Sequence, residues 1–249
     1  AALALDLLIA DRGPGAADAN LAAATADAPR VVHAINLRRG SGGPPAEAPA
    51  GLARFALDIA PRESLLATHD AVTPLPAILR AATHLGNVGL LVDDDGVIRR
   101  VPLLVRHGGR VYPALSLVTA CLALGADPDQ VRWSPGGDVV IPAGGGRDAV
   151  RIPVDRRAAM RISVRGGMEQ RRPASLLRLL GWVRDGGESA RRELERLARA
   201  RALLLGVAVS GQQDMQPIPG NAAPPLVLAH AMATETIIGR DFLRGAGPL

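Results

Sequence analysis

The chain has 249 residues, of which 48% are hydrophobic and only 2% aromatic, and its formal net charge is +5. This composition excludes an intrinsically disordered chain, because the apolar content is sufficient to bury a core. Every basic residue apart from histidine is an arginine, and the arginines are spread along the chain among acidic residues. Since aromatic side chains that could stack on bases are also scarce, we expect no nucleic-acid partner.

The first part of the chain predicts a strand, a helix and a second strand. Residues 3–10 and 30–37 are short apolar runs, as in strands buried on both faces. Between them, the alanine-rich segment 18–28 is typical of a helix, with Asp18 as its predicted N-cap. Strand, helix and strand in such close succession indicate a βαβ unit with a parallel sheet.

The next part of the chain predicts a long connection and then a helix. Residues 38–54 are rich in Gly, Pro and Ala and indicate a surface loop, and residues 55–73 an irregular connection with a helical turn near 63–67. A helix begins behind Pro76, because proline is tolerated in the first helical turn. We expect this helix to end at Gly86, the residue type that most often terminates helices.

Two hairpins follow, and the turn residues are the strongest local signals in the sequence. A short buried strand at 87–92 and a return strand at 97–105 flank an Asp-Gly turn at 95–96. A Gly-Gly pair at 108–109 turns the chain again. The segment 113–124 is apolar nearly all round and therefore predicts a buried helix.

The charged residues around the first turn permit two interpretations. Three aspartates at 93–95 could offer carboxylate oxygens to a hard cation. The spacing of an EF-hand is absent, however, and arginines follow instead, which favours a hairpin turn. Because successive strand residues point to opposite faces, we expect that Arg99 and Arg100 cannot bind one ligand together.

The second half of the chain predicts an antiparallel β section followed by further α/β elements. Four short apolar segments separated by Gly- and Pro-rich turns indicate a β-rich insertion at about 131–164. Helices are predicted at 175–183 and 188–201, a core parallel strand at 202–209 and a last helix at 225–238. The fold class is thus α/β, with a mainly parallel sheet flanked by helices on both faces and an antiparallel insertion.

A polar loop directly follows the strand at 202–209. Ligands of open α/β sheets bind beyond the carboxyl ends of the strands. The candidate ligand-binding residues are therefore the polar residues at or near such ends: Asp6, Ser210, Gln212, Asp214 and His230. Loop capping explains Ser210 and Asp214 equally well, and His230 can equally be a hydrogen-bonded helix residue.

Catalytic, metal and cofactor signatures are weak. Ser210, Asp214 and His230 could converge as a hydrolase triad, but Ala208 stands where the nucleophile motif Gly-x-Ser-x-Gly requires glycine. The five histidines and the lone Cys121 show no zinc spacing, and the absence of lysine excludes Schiff-base chemistry. We predict no catalytic residue, no metal and no cofactor, and interpret Cys121 as a small buried hydrophobe.

The order of motifs resembles the second class of CHASE domain. The matching sequences are Gly-Asn-Val-Gly at 86–89, Asp-x-Asp-Gly-Val-x-Arg-Arg-x-Pro-Leu at 93–103 and Tyr-Pro-Ala-Leu-Ser-Leu at 112–117. Nearer the C-terminus they are Leu-Leu-Leu-Gly at 203–206 and His-Ala at 230–231. The resemblance covers essentially the whole chain.

This resemblance implies a single extracytoplasmic sensor domain over residues 1–249, periplasmic or extracellular, in a bacterial transmembrane signalling receptor. It implies flanking transmembrane helices, a cytoplasmic output domain such as an adenylate or guanylate cyclase or a histidine kinase, and a small-molecule ligand of unknown identity. Because the family begins with one further strand and helix, we expect a fragment of a longer membrane protein, and we expect a homodimer.

Two other functions remain open from the sequence. The first is a soluble α/β hydrolase-like enzyme, which a transmembrane helix on each flank would rule out. The second is a structural module that only sets the geometry of a dimer. Such a module would show no ligand-dependent rise in melting temperature, whereas a ligand that binds only the folded state produces one.

Overall fold

The structure is a computed structural model that describes residues 1–40, 48–134, 137–164, 174–199, 201–207, 215–222 and 224–243. Over these ranges the chain forms a mixed α/β fold with six α-helices and several small sheets, and no closed barrel. This confirms the predicted α/β class in its general form. The prediction of one mainly parallel sheet was too simple, because many strands lie in three further small sheets.

The strands are β1 (Ala2–Asp6), β2 (Val31–Arg38), β3 (Leu66–Thr68), β4 (Asp70–Val72), β5 (His84–Asn87), β6 (Arg100–Pro102), β7 (Leu104–His107), β8 (Arg110–Pro113), β9 (Arg132–Trp133), β10 (Val139–Ile141), β11 (Val150–Ile152), β12 (Ala159–Arg161) and β13 (Ala202–Gly206). The helices are α1 (Ala17–Ala26), α2 (Pro76–Ala81), α3 (Leu115–Leu124), α4 (Leu176–Asp185), α5 (Glu188–Ala198) and α6 (Val227–Gly239). Two short 3-10 helices span Leu52–Phe55 and Pro128–Gln130.

Four parallel strands lie side by side in the order β13-β1-β2-β5. Leu3 pairs with Leu203 on one side and with Val31 on the other, so β1 is a central strand. The chain proceeds from β1 outward to β2 and β5 and later returns to the opposite side of β1 as β13. The strand order therefore reverses between β1 and β13, and the predicted parallel βαβ pairing is confirmed.

The helix α3 is the centre of the core. All of its residues except Ala123 are buried, as its uniformly apolar sequence predicts. Leu115, Val118 and Leu122 pack against alanines of β1 and a valine of β2. On another side α3 packs against α6. It ends at Gly125, whose φ of 74° is left-handed, as expected for a glycine stop.

Three local predictions in the first half were wrong. The predicted helical turn near 63–67 is instead the approach to the short strand β3. Asp18 does not cap α1, because its Oδ1 accepts a hydrogen bond from the Gly13 amide at 3.0 Å. The helix α2 ends at Ala81, and Gly86 lies in β5, where a Cβ atom would collide with the backbone of Leu115.

The predicted β-rich section at 131–164 is confirmed as short antiparallel strands. β9, β10 and β11 form a three-stranded antiparallel sheet of their own. β12 leaves this group and pairs with β6 instead. The Gly-Gly pair at 108–109 joins β7 to β8 as predicted, with φ values of 53° and 74°.

Candidate functional site

The candidate residues were chosen for their place at the carboxyl ends of strands. Asp6 is the last residue of β1 and pairs in register with Gly206, the last residue of β13. This is the point where the strand order reverses, and ligands of open α/β sheets bind at such a point. Ser210, Gln212 and Asp214 lie outside the described residues, so their predicted role stays a prediction.

His230 lies on α6 and is only 1% exposed. Its Nε2 is 3.2 Å from the carbonyl oxygen of Val88, so Nε2 carries the proton and donates it to this hydrogen bond. Nδ1 is then a buried acceptor, and it has no partner in the described part of the chain. Burial lowers the pKa of His230, while the negative charge of Asp6 acts in the opposite sense. Asp6 and His230 therefore share one electrostatic environment.

Asn87 is a buried polar residue at a strand end that the sequence analysis did not select. It ends β5 and is 1% exposed, and its Oδ1 accepts a hydrogen bond from the Leu37 amide at 2.9 Å. Its Nδ2 is buried and has no partner among the described residues. Buried polar atoms are nearly always hydrogen-bonded, so the unpaired atoms of Asn87 and His230 are available to a ligand, although buried unpaired atoms also occur away from this edge, as at Tyr112 and Ser116. The signal was present in the Gly-Asn-Val-Gly motif, which served only to identify the family resemblance.

Close packing fixes α6 against the end of β13. A Cβ atom at Gly206 would overlap the side chain of Val227, so glycine is required where the first turn of α6 crosses the strand. We call the group formed by Asp6, Asn87 and His230 the carboxyl-edge cluster. Asn87 offers an amide donor and His230 a neutral imidazole acceptor, group types that suit hydrogen bonding to a small polar ligand, while the Asp6 side chain is engaged in an interaction of its own.

The acidic turn binds arginines rather than presenting a cation site. Asp93 accepts hydrogen bonds from Arg99 at 3.1 Å and from Arg100 at 2.6 Å, and Arg100 also reaches Asp155 at 3.2 Å. The hydrogen bond from Arg99 lowers the pKa of Asp95 to about 2. The expectation that the two arginines cannot bind one group was wrong. Arg99 precedes the first residue of β6, so the alternation of strand side chains does not separate them.

The predicted Asp-Gly turn is confirmed. The Asp93 amide donates to the carbonyl of Val97 at 3.0 Å, and Gly96 has a left-handed φ of 81°. Leu91 and Arg100 form an isolated antiparallel bridge beyond it. The predicted strand at 87–92 was wrong, because the regular strand β5 spans His84–Asn87 and residues 88–92 form only the isolated bridge at Leu91.

One cavity, of about 790 Å³, lies between β1, β13, α4, α5 and α6, and the carboxyl-edge cluster does not line it. A second cavity of about 320 Å³ lies beside Arg100 and Asp155, and a third of about 220 Å³ lies beside Arg54 and His84. The cavity of about 790 Å³ is lined mainly by leucine and alanine residues, whereas arginine and aspartate residues line both of the others.

Other chemical features are few in the described ranges. No group of three or more His, Cys, Asp or Glu side chains could hold a metal ion there. Cys121 is fully buried, which raises the pKa of its thiol. In the same part of the chain, no helix has both the length and the apolarity that a membrane crossing demands.

A family model described as the CHASE2 domain matches residues 1–248. The chain belongs to the CHASE2 domain family. CHASE2 domains are extracytoplasmic sensor domains of signalling receptors, sensory rather than catalytic. Comparison with curated proteins gives no match, and neither does comparison with solved structures.

Proposed function

We propose that this chain is the ligand-sensing domain of a bacterial transmembrane receptor, held outside the cytoplasmic membrane by flanking transmembrane helices. The cytoplasmic output is a nucleotide cyclase, a histidine kinase or a similar signalling module. The observation that supports this is the family match over residues 1–248. Reading the coding sequence beyond Ala1 and Leu249 tests it, since an apolar run of about 20 residues is needed to span a bilayer.

The proposed ligand site is the carboxyl edge of the parallel strands. Asp6 and His230 belong to it, together with Ser210, Gln212 and Asp214 of the following loop. The electrostatic coupling of Asp6 to His230 and the unpaired Nδ1 of His230 support this placement. A ligand bound there would shift the equilibrium between two conformations of the receptor. The size of this shift is limited by the difference between the ligand's affinities for the two conformations.

Substitution of Asp214 by alanine in the full-length receptor tests the site. We expect loss of ligand-dependent output with a nearly unchanged melting temperature, because only ligand binding is removed. Asp94→Ala, in an exposed turn, is the matched control and should keep full output. If Asp214→Ala instead lowers the melting temperature strongly, the residue has a structural role and the ligand assignment fails.

The receptor is proposed to act as a homodimer. The helix α4 supports this, because Leu177 and Val183 are 80% and 64% exposed on its surface. Large exposed apolar side chains grouped on one element are a common feature of interaction surfaces. Sedimentation of the purified chain would show a dimer that Leu177→Glu converts to a monomer, and a monomeric parent chain would contradict the proposal.

A further inference from the structure

The cavity of about 790 Å³ is an apolar space between the sheet and a helix pair. Leu3 of β1 and Leu203 of β13 are register partners and line its floor together with Leu205. Residues two apart on a strand share a face, so Leu203 and Leu205 project to the same side. Leu179 of α4 and Leu197 of α5 line the opposite wall.

The elements around this cavity are incompletely buried. Every residue of β13 is only half-buried, although the strand is paired to β1 along its whole length. No residue of α4 is buried, and α4 and α5 pack chiefly against each other. The apolar faces of the strand and of the helix pair thus enclose between them a cavity of about 790 Å³. This volume falls within the range of small-molecule sites, which are mostly apolar with a few polar groups.

The cationic side chain of Arg201 lines this apolar cavity. Arg201 precedes β13 and lines the cavity, and its guanidinium forms no ion pair with any described residue. Its backbone carbonyl accepts a hydrogen bond from the Ala2 amide at 2.9 Å, which fixes the main chain there. Glu235 of α6 also lines the cavity and is engaged in an interaction of its own.

We propose that this cavity binds a single-chain anionic amphiphile of the fatty-acid class. The tail lies among the leucines of β1, β13, α4 and α5, and the carboxylate pairs with Arg201. This inference goes beyond the proposed sensing function, because it concerns a second site, apart from the carboxyl-edge cluster. A ligand that fills the cavity contacts both the helix pair α4–α5 and the sheet. It therefore stabilises one arrangement of the helix pair relative to the sheet.

Calorimetry on the delipidated 249-residue chain tests the proposal with decanoate and dodecanoate, both below their micelle concentrations. Each methylene group moved from water into an apolar site strengthens binding about fourfold. We therefore expect dodecanoate to bind roughly 15-fold more tightly than decanoate. Dodecyltrimethylammonium has a tail one carbon longer and the opposite charge, and should nevertheless bind far more weakly. Equal binding of the two head groups, or no saturable binding, would overturn the proposal.

Variants separate the tail site from the head-group site. Arg201→Gln should weaken dodecanoate binding about tenfold, as expected for loss of a hydrogen bond to a charged group. Arg199→Gln is the matched control, because Arg199 is exposed and does not line the cavity. Ala231→Phe projects into the cavity and should abolish binding without lowering the melting temperature. Full dodecanoate binding by the phenylalanine variant would overturn the proposal.

The test is independent of receptor output. A dimer that covers α4 and α5 and excludes dodecanoate would refute the amphiphile site while leaving the receptor assignment intact. Conversely, coding sequence without membrane segments would refute the receptor assignment while dodecanoate binding to this chain remained measurable. The two failures are therefore distinguishable.

Discussion

Gly86 offers a sharp test of the fold, because the sequence and the structure give it different roles. As a helix terminator it would need a left-handed φ, and asparagine would then be the best replacement. In the structure Gly86 is a residue of β5 without a positive φ, and glycine is required by the closeness of α3. A role as helix terminator predicts that Gly86→Asn is more stable than Gly86→Ala, whereas a role in close packing predicts the reverse.

The expected free-energy change follows from what the new side chain meets. The first atoms in the path of a Cβ at Gly86 are backbone atoms of Leu115, which cannot rotate away. Leu115 is itself fully buried at the start of α3, so the helix can move only by disturbing the core. Overpacking of this kind costs about 1–3 kcal/mol, and we expect alanine to lie at the upper end. Asparagine, being larger, should be worse.

Urea denaturation of the two variants measures the change, with Gly181→Ala as the matched control. Gly181 lies within α4, and a Cβ there meets nothing within 4 Å. Alanine should therefore stabilise α4 by about 0.8 kcal/mol through helix propensity. A Gly86→Asn variant more stable than Gly86→Ala, with both losing only about 1 kcal/mol, would refute the packing argument.

Three further predictions concern charge and burial. Asp93→Asn should destabilise the fold by about 1 kcal/mol at neutral pH, because two arginines lose their shared carboxylate. The loss should shrink as the pH falls through the lowered pKa of Asp93, since the parent carboxylate is then protonated too; an equal loss at low pH would contradict this. His33 and His230 have pKa values lowered by burial, so the unfolded chain takes up protons first. Stability should therefore fall below about pH 6.5, by up to about 1.4 kcal/mol per pH unit for each histidine, and a His33→Gln variant should show a smaller slope in pH-dependent urea unfolding. Cys121 should resist a thiol reagent in the native state and react fully in urea, and rapid native labelling would show that α3 is more open than described.

The elements that the sequence predicts well are those whose signal is local. The buried helix α3 is apolar on every side, and the turns at 95–96 and 108–109 carry glycines at left-handed positions. The alternation of strand, helix and strand likewise identifies the β1–β2 pair. In each case the residue types alone satisfy a backbone requirement, so no knowledge of distant partners is needed.

Features that the sequence did not reveal include several that depend on contacts between distant segments. Gly86 is glycine because of Leu115, and Gly206 because of Val227, and no local pattern reveals either partner. The unpaired amide of Asn87 is likewise visible only once β5 lies beside β2. For the candidate site, Asp6 stands at the end of β1 as the sequence indicated, and the ligand-binding role of Asp6 and His230 stays a prediction.

The apolar cavity could not be inferred from the sequence at all. The leucines that line it have the ordinary spacing of core residues in β1, β13, α4 and α5. Only the structure shows that these apolar faces stand apart instead of touching.

The central claim is that this domain senses from outside the cytoplasmic membrane. Asp94→Cys places a thiol in an exposed turn, whereas the native Cys121 is buried and serves as the internal control. We would treat intact cells expressing the full-length protein, with cysteines outside this chain replaced, with a membrane-impermeant maleimide. Labelling of the Asp94→Cys protein without cell lysis is the predicted result. Labelling only after lysis would place the domain in the cytoplasm and contradict the account.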